Sequence, residues 1–140
     1  MGDISKRLSR WEFECKCKQC GFAAVDIHLV SLLEEIADYF DRLTNASRIY
    51  IVINSACRCR EHNEEAQKKA DKNYKPYTSR SRHMFGMAVD FWLLMERYRT
   101  RKKIDPSLVA DYIENKYSNK FGLGRYTTFT HLDVGPRRRW

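Results

Sequence analysis

At 140 residues, with 43% hydrophobic and 31% charged side chains, the chain is sized for one globular domain spanning 1–140, not for an extended disordered segment. No apolar run approaches the ~20 residues a membrane span needs, so no membrane insertion is expected. The net charge of +8, concentrated at Arg97–Lys103 and in the tail Arg137-Arg138-Arg139-Trp140, suits either a well-solvated surface or contact with an anionic polymer such as nucleic acid, an acidic membrane surface or a bacterial wall.

The opening Met1-Gly2-Asp3-Ile4-Ser5-Lys6 lacks the apolar stretch of a secretory signal, and its Lys6 breaks the myristoylation pattern. Synthesis in the cytoplasm without a signal peptide is expected, with any export by a separate route. Residues 1–22 read as a cysteine-rich N-terminal arm. Cys15, Cys17 and Cys20 lie close together there, and Cys57 and Cys59 follow later. Five is an odd number, which excludes a simple closed disulfide set. Metal binding or free thiols therefore come to the fore. A thiolate-rich structural zinc site could join Cys15, Cys17 and Cys20 to Cys57 or Cys59.

From Asp26 to Thr44, Leu29, Leu32, Leu33, Ile36, Tyr39, Phe40 and Leu43 recur at helical spacing among acidic residues, which predicts an amphipathic helix. Ile49 to Ile53 is β-branched and aromatic and reads as a buried strand. Arg60 to Asn73 is helix-prone without an apolar stripe, a short surface helix. Tyr74 to Arg82 reads as a loop. Ala88 to Met95 is apolar on both faces except at Asp90, the pattern of a central strand. Asp105-Pro106 pairs an N-cap with proline at the first helical position and starts a helix reaching about Tyr117. Gly122 and Gly124 read as a turn, and Tyr126 to Val134 as a final strand. Helices and strands alternate without βαβ rhythm, so the expected fold class is α+β, a small and largely antiparallel sheet flanked by helices.

A carboxylate inside an apolar strand is costly unless a partner stabilises it. For Asp90 the simplest partner is a bound cation. His83 sits seven positions earlier, across a turn that Gly86 permits, and His131 lies in the final strand. Two His and one Asp from separate segments are the makings of a catalytic zinc site that keeps a fourth position open. Residues two apart on a strand share a face with ~7 Å between them. Phe129, His131 and Asp133 then point the same way, and Asp133 is placed for a supporting carboxylate or a general base.

Ser81-x-His83-x-x-Gly86-x-Ala88-x-Asp90 with His131-x-Asp133 resembles the zinc D-Ala-D-Ala carboxypeptidase and murein endopeptidase family, whose fold is shared with the hedgehog signalling domain. Trp11-Glu12-Phe13-Glu14-Cys15, the segment Asn54 to Asn63, Gly122 to Tyr126 and the closing Arg139-Trp140 also match, the last two like phage-type members. The resemblance covers nearly the whole chain in order.

It implies a zinc peptidase acting on peptidoglycan stem peptides, with His83, Asp90 and His131 as ligands to a Zn2+ that polarises the scissile carbonyl and lowers the pKa of its water to about 7. Arg58 would pair with a substrate carboxylate or the developing oxyanion, and Ser81 would be a supporting hydroxyl. A Cys15–Cys59 disulfide is also implied, beside the zinc and free-thiol readings. Some members carry an acidic residue three positions before the last histidine, or a histidine two before it. Here those positions are Thr128 and Phe129, which leaves Asp133 as the acidic residue on offer for the base.

The expected protein is thus a monomeric, wall-cleaving metallopeptidase of the phage endolysin kind, reaching peptidoglycan after holin-type or lysis-dependent release. Two alternatives remain. One is a catalytically impaired zinc module that binds the cell wall. The other is a basic nucleic-acid-binding zinc protein, which leaves Asp90 unexplained and makes nucleic acid the less expected partner.

Overall fold

The computed structural model describes residues 2–75 and 80–140. The helix expected from Asp26 is α1, Ile27–Thr44, opened by the Asp26 carboxylate accepting from the His28 and Leu29 N–H groups and closed by Asn45 in the left-handed region. Its buried stripe, Leu29, Leu32, Leu33, Ile36 and Phe40, packs against Ile49 and Ile51 of β1 (Arg48–Ser55) and Phe91 and Leu93 of β2 (Ala88–Arg97). Helix α2 (Arg60–Ala70) buries only Asn63, which agrees with its missing apolar stripe. Helix α3 (Pro106–Lys116) starts where Asp105 accepts from the Ser107 N–H, and it closes the core with Val109, Ala110 and Ile113.

The sheet is mostly antiparallel, in the order β1-β2-β5-β4-β6. β1 runs along one edge of β2. The other edge is shared between β5 (Thr130–Asp133), opposite residues 88–91, and β3 (Thr100–Lys103), opposite residues 94–97. β4 (Gly122–Arg125) pairs with β5, and β6 (Arg138–Arg139) adds a short parallel strand. The α+β class with a largely antiparallel sheet is therefore observed. Among the described residues, no helix is long and apolar enough to cross a membrane.

Several expectations need correction. Gly122 and Gly124 are strand residues, not a turn. An added Cβ would lie 2.1 Å from Asp133 Oδ2 at Gly122 and 2.7 Å from the Trp140 ring at Gly124. Those glycines leave space for side chains that cross the strand. The strand expected over Tyr126 to Val134 is β5, which spans only Thr130–Asp133 and is followed by β6. Phe129 lies before the strand, stacked on Tyr126 with ring centroids 4.3 Å apart, so it does not share a strand face with His131 and Asp133. Of the expected Tyr74–Arg82 loop, 76–79 lie outside the described residues, and Arg82 belongs to a 3-10 turn, Arg82–Phe85.

Both basic clusters proved to be strand-bearing. The first is the β2–β3 hairpin, turning through Tyr98 and Arg99 at positive φ. The tail forms β6, where Arg139 pairs with Glu114 and donates to the carbonyls of Phe121, Tyr117 and Lys120.

Candidate metal centre

Asp90 and His131 are directly opposite one another in the antiparallel β2–β5 ladder. That register alone brings a carboxylate and an imidazole together. His83 arrives from the 3-10 turn, which ends at Gly86 with φ 66°. The left-handed conformation suits glycine, and an added Cβ would also strike the Ala24 carbonyl at 2.4 Å. Segment 56–58 fixes the histidine from the other side. The Arg58 N–H donates to the His83 carbonyl at 2.9 Å, and His83 Nδ1 lies 2.6 Å from the Ala56 carbonyl.

One metal-ligating atom from each of His83, Asp90 and His131 falls within 4.8 Å of the others, and all three side chains are buried. His83 Nε2 is 3.5 Å and His131 Nδ1 2.8 Å from Asp90 Oδ1. The remaining ring nitrogens decide what this triad can hold. A carbonyl can only accept, so His83 Nδ1 carries the proton and its Nε2 lone pair faces inward. The Asp133 carboxylate, 3.0 Å from His131 Nε2, sets the opposite tautomer there and turns the Nδ1 lone pair inward. Two lone pairs and a carboxylate oxygen then converge on one point, which is stable only with a cation or a proton between them. The residues fit zinc: His83, Asp90 and His131 would supply a His2Asp set of three protein ligands, the number a catalytic zinc site uses.

The charges behave accordingly. In the metal-free site burial works to raise the Asp90 carboxyl, but its contacts with His131 and His83 outweigh burial and hold it well below the usual carboxylate range. Burial works to lower His131, yet hydrogen bonds to Asp133 and Asp90 lift it above its ordinary value.

Asp133 is 0% exposed and lies behind His131, away from the pocket. Its Oδ2 also accepts from Arg138 Nη2 at 2.9 Å. Its Oδ1 accepts from the Gly135 N–H and pairs with Arg82 Nε at 3.2 Å. Of the two places open to it in the sequence, this is that of the supporting carboxylate. The placement leaves a general base at Asp133 without a path to substrate.

Arg58 lies at the pocket wall, its Nη2 donating to Asp90 Oδ2 at 3.0 Å and its Nε to Ser55 Oγ. Ser81 is the N-cap of the 3-10 turn and lines the pocket, without a capping hydrogen bond from its hydroxyl.

The triad floors an open pocket of about 630 Å³. Its walls include residues to which the sequence reading gave no part in the metal site: Arg80, Arg82, Arg138, Tyr126 and Trp140. The Trp140 ring lies 4.8 Å from the His131 ring, and its Nε1–H donates to the Tyr126 hydroxyl. The signal for this wall was the glycine pair at 122 and 124, which leaves room for Trp140 and Asp133. Asp90 is the one carboxylate among the lining residues, and Pro76-Tyr77-Thr78-Ser79 contain none.

Cys15, Cys17, Cys20 and Cys59 are gathered outside the pocket, while Cys57 is fully buried and not one of that group.

A protein-family model described as Peptidase M15 matches residues 6–133. No curated protein and no solved structure matches the chain. The family match covers most of the chain and spans all three converging side chains, so the chain belongs to the peptidase M15 family of zinc metallopeptidases.

Proposed function

We propose that the protein hydrolyses peptide bonds in the stem peptides of bacterial peptidoglycan, in the manner of a small phage endolysin. The observation that carries this reading is the convergence of His83, Asp90 and His131 at the floor of a pocket walled by arginines. Stem peptides are short and rich in free carboxylates, and Arg80 and Arg138 offer planar, charge-assisted contacts to such groups.

When bound, zinc supplies the Lewis acid that polarises the scissile carbonyl and activates a water. The protein's own groups do the remaining work. Asp133 and the Ala56 carbonyl fix the ring orientations of His131 and His83. Arg58 holds the second oxygen of Asp90 and stands where it can also reach a substrate oxygen. Tyr126, Phe129 and Trp140 form an apolar wall for the peptide backbone and its small side chains.

One feature favours a second reading, a wall-binding module with little turnover: beyond Asp90, the described pocket has no carboxylate to take a proton. Turnover separates the two. Purified peptidoglycan is incubated with the zinc-loaded protein, with chelated protein and with His83→Ala, and the released fragments are identified by mass. The peptidase reading expects new peptide termini with the zinc-loaded protein alone. Binding to the wall without new termini would leave the module reading standing. The fragment masses would also name the bond, whether L-Ala-D-Glu, D-Ala-D-Ala or a cross-bridge.

A further inference from the structure

The geometry points to a second metal site, a closed tetrahedral zinc centre formed by the thiolates of Cys15, Cys17, Cys20 and Cys59. It is separate from the pocket and independent of whether the protein cleaves peptides. The four Sγ atoms lie within 4.8 Å of one another, with Cys17–Cys20 at 3.4 Å and Cys17–Cys59 at 3.9 Å. A tetrahedral ion with Zn–S bonds of about 2.3 Å places its sulfurs about 3.8 Å apart, so little movement is needed to close the site.

The backbone around the sulfurs is arranged for thiolates. Each sulfur receives a main-chain N–H: Cys59 N to Cys15 Sγ at 3.3 Å, Gln19 N to Cys17 Sγ at 3.4 Å, Phe22 N to Cys20 Sγ at 3.3 Å, and His62 N to Cys59 Sγ at 3.4 Å. Lys18 and Gly21, directly after Cys17 and Cys20, both have φ 61°. That left-handed step turns the next N–H groups back onto the preceding sulfurs. A lysine carrying a Cβ adopts this conformation at some cost, which bonds to a metal-bound sulfur would offset.

Four donors of one soft type with no open position describe a structural centre, not a catalytic one. The charge of four thiolates is eased by the N–H groups, by Lys16, Lys18 and Arg60 nearby in sequence, and by His62, whose Nδ1 is 3.2 Å from Cys15 Sγ. Cys57 is not a ligand. It is buried, and its Sγ lies outside the group of four.

The site would act as a clasp. It joins the N-terminal arm to Cys59, the residue after Arg58 and the N-cap of α2. The same segment holds His83 through Ala56 and Arg58, so the clasp braces the wall behind the catalytic ligands.

Metal content measured on four proteins tests this: the wild type, His83→Ala, Cys20→Ser and Cys17→Ser/Cys20→Ser, each checked for native circular dichroism. Cys20 is exposed, so its replacement leaves the core untouched. The expected result is about two zinc ions per wild-type chain and about one in each variant. Cobalt loaded into His83→Ala should show intense thiolate-to-metal charge transfer, and cobalt in the double cysteine variant should not. Failure of peptidase activity in any of these would not touch the inference. Wild-type zinc of about one per chain that the cysteine variants do not lower would overturn it. So would a stoichiometric equivalent of iron in place of zinc, or a chain mass short by the two hydrogens of a disulfide.

Discussion

Asp133 accepts a hydrogen bond from His131 Nε2 at 3.0 Å while being 0% exposed itself, so it governs the candidate ligand His131 from behind. A carboxylate in that position fixes the ring's tautomer and raises its basicity, and loss of such a partner typically costs 10–100-fold in metal affinity. Asp133→Asn is expected to weaken zinc binding at the triad by roughly that factor, and activity should return at saturating zinc. Zinc titrations monitored by hydrolysis check it. A true general base would behave differently: its loss would leave zinc affinity intact and activity low at any zinc concentration.

The protonation pattern sets an unusual pH dependence for the metal-free protein. Asp90 and Asp133 have folded values below their unfolded ones. Their contribution is therefore complete above about pH 4 and fades as pH falls through the lower folded values. His131 is shifted the other way, so its contribution is complete below about pH 6.5 and fades as pH rises through its raised folded value. The chelated protein should be most stable between about pH 4 and 6.5, as read from urea midpoints. Zinc requires the neutral ring, so the zinc-loaded protein should gain stability over the chelated one as pH rises. A chelated-protein midpoint that climbs steadily from about pH 5 to 8 would contradict this assignment of charges.

Gly122 and Gly124 give way to the side chains of the site. Gly122→Ala sets a methyl against the buried Asp133 carboxylate, and Gly124→Ala sets one against Trp140, which is 48% exposed and can move. Overpacking of this kind costs about 1–3 kcal/mol, and Gly122→Ala should lie at the upper end. It should also lower zinc affinity by displacing Asp133, whereas Gly124→Ala should chiefly alter the pocket wall. Urea denaturation and zinc titration of the two variants test the ordering.

At the other end of the molecule, Arg7 ties the N-terminal arm to α1. Its side chain is 7% exposed and donates to Glu34 at 2.6 Å, Asp38 at 2.8 Å and Asp41 at 3.2 Å. Hydrogen bonds between charged groups are worth about 1.5–3 kcal/mol where water is largely excluded. Asp38 and Asp41 are partly exposed, so screening reduces their share. Arg7→Ala is expected to cost about 2 kcal/mol in urea unfolding without changing zinc content at the triad. An unchanged midpoint would show that the arm is held by its other contacts, the buried Leu8 and Phe13 among them.

Much of this was legible in the sequence because the physics was local. The stripe from Leu29 to Phe40 and the Asp105-Pro106 start each carry their own signal, and helices formed there. Asp90 was conspicuous as a charge in an apolar strand, and His83 and His131 followed from it. What stayed hidden depends on contacts between distant segments. β6 is two residues long and exists because Arg138 and Arg139 find partners on β4, α3 and Asp133. Gly122 and Gly124 looked like turn residues because the side chains that need their space lie on other strands. The same holds for Asp133, whose spacing from His131 was clear but whose orientation depended on Arg82 and Arg138 behind it. Among the cysteines, Cys59 and not Cys57 joins the group of four because of the path the chain takes between the end of β1 at Ser55 and the N-cap of α2 at Cys59, which spacing alone does not show.

The proposed hydrolysis of stem peptides depends on zinc held by His83, Asp90 and His131. It is tested most directly by adding zinc in steps to chelated protein and measuring hydrolysis of a defined peptidoglycan stem peptide at each step. Activity should rise with zinc and saturate when the triad is filled. His83→Ala should stay inactive throughout, although it still binds zinc at the cysteines. Hydrolysis that persists in the chelated protein or in His83→Ala would contradict the claim, as would a fully loaded protein that binds the peptide and leaves it intact.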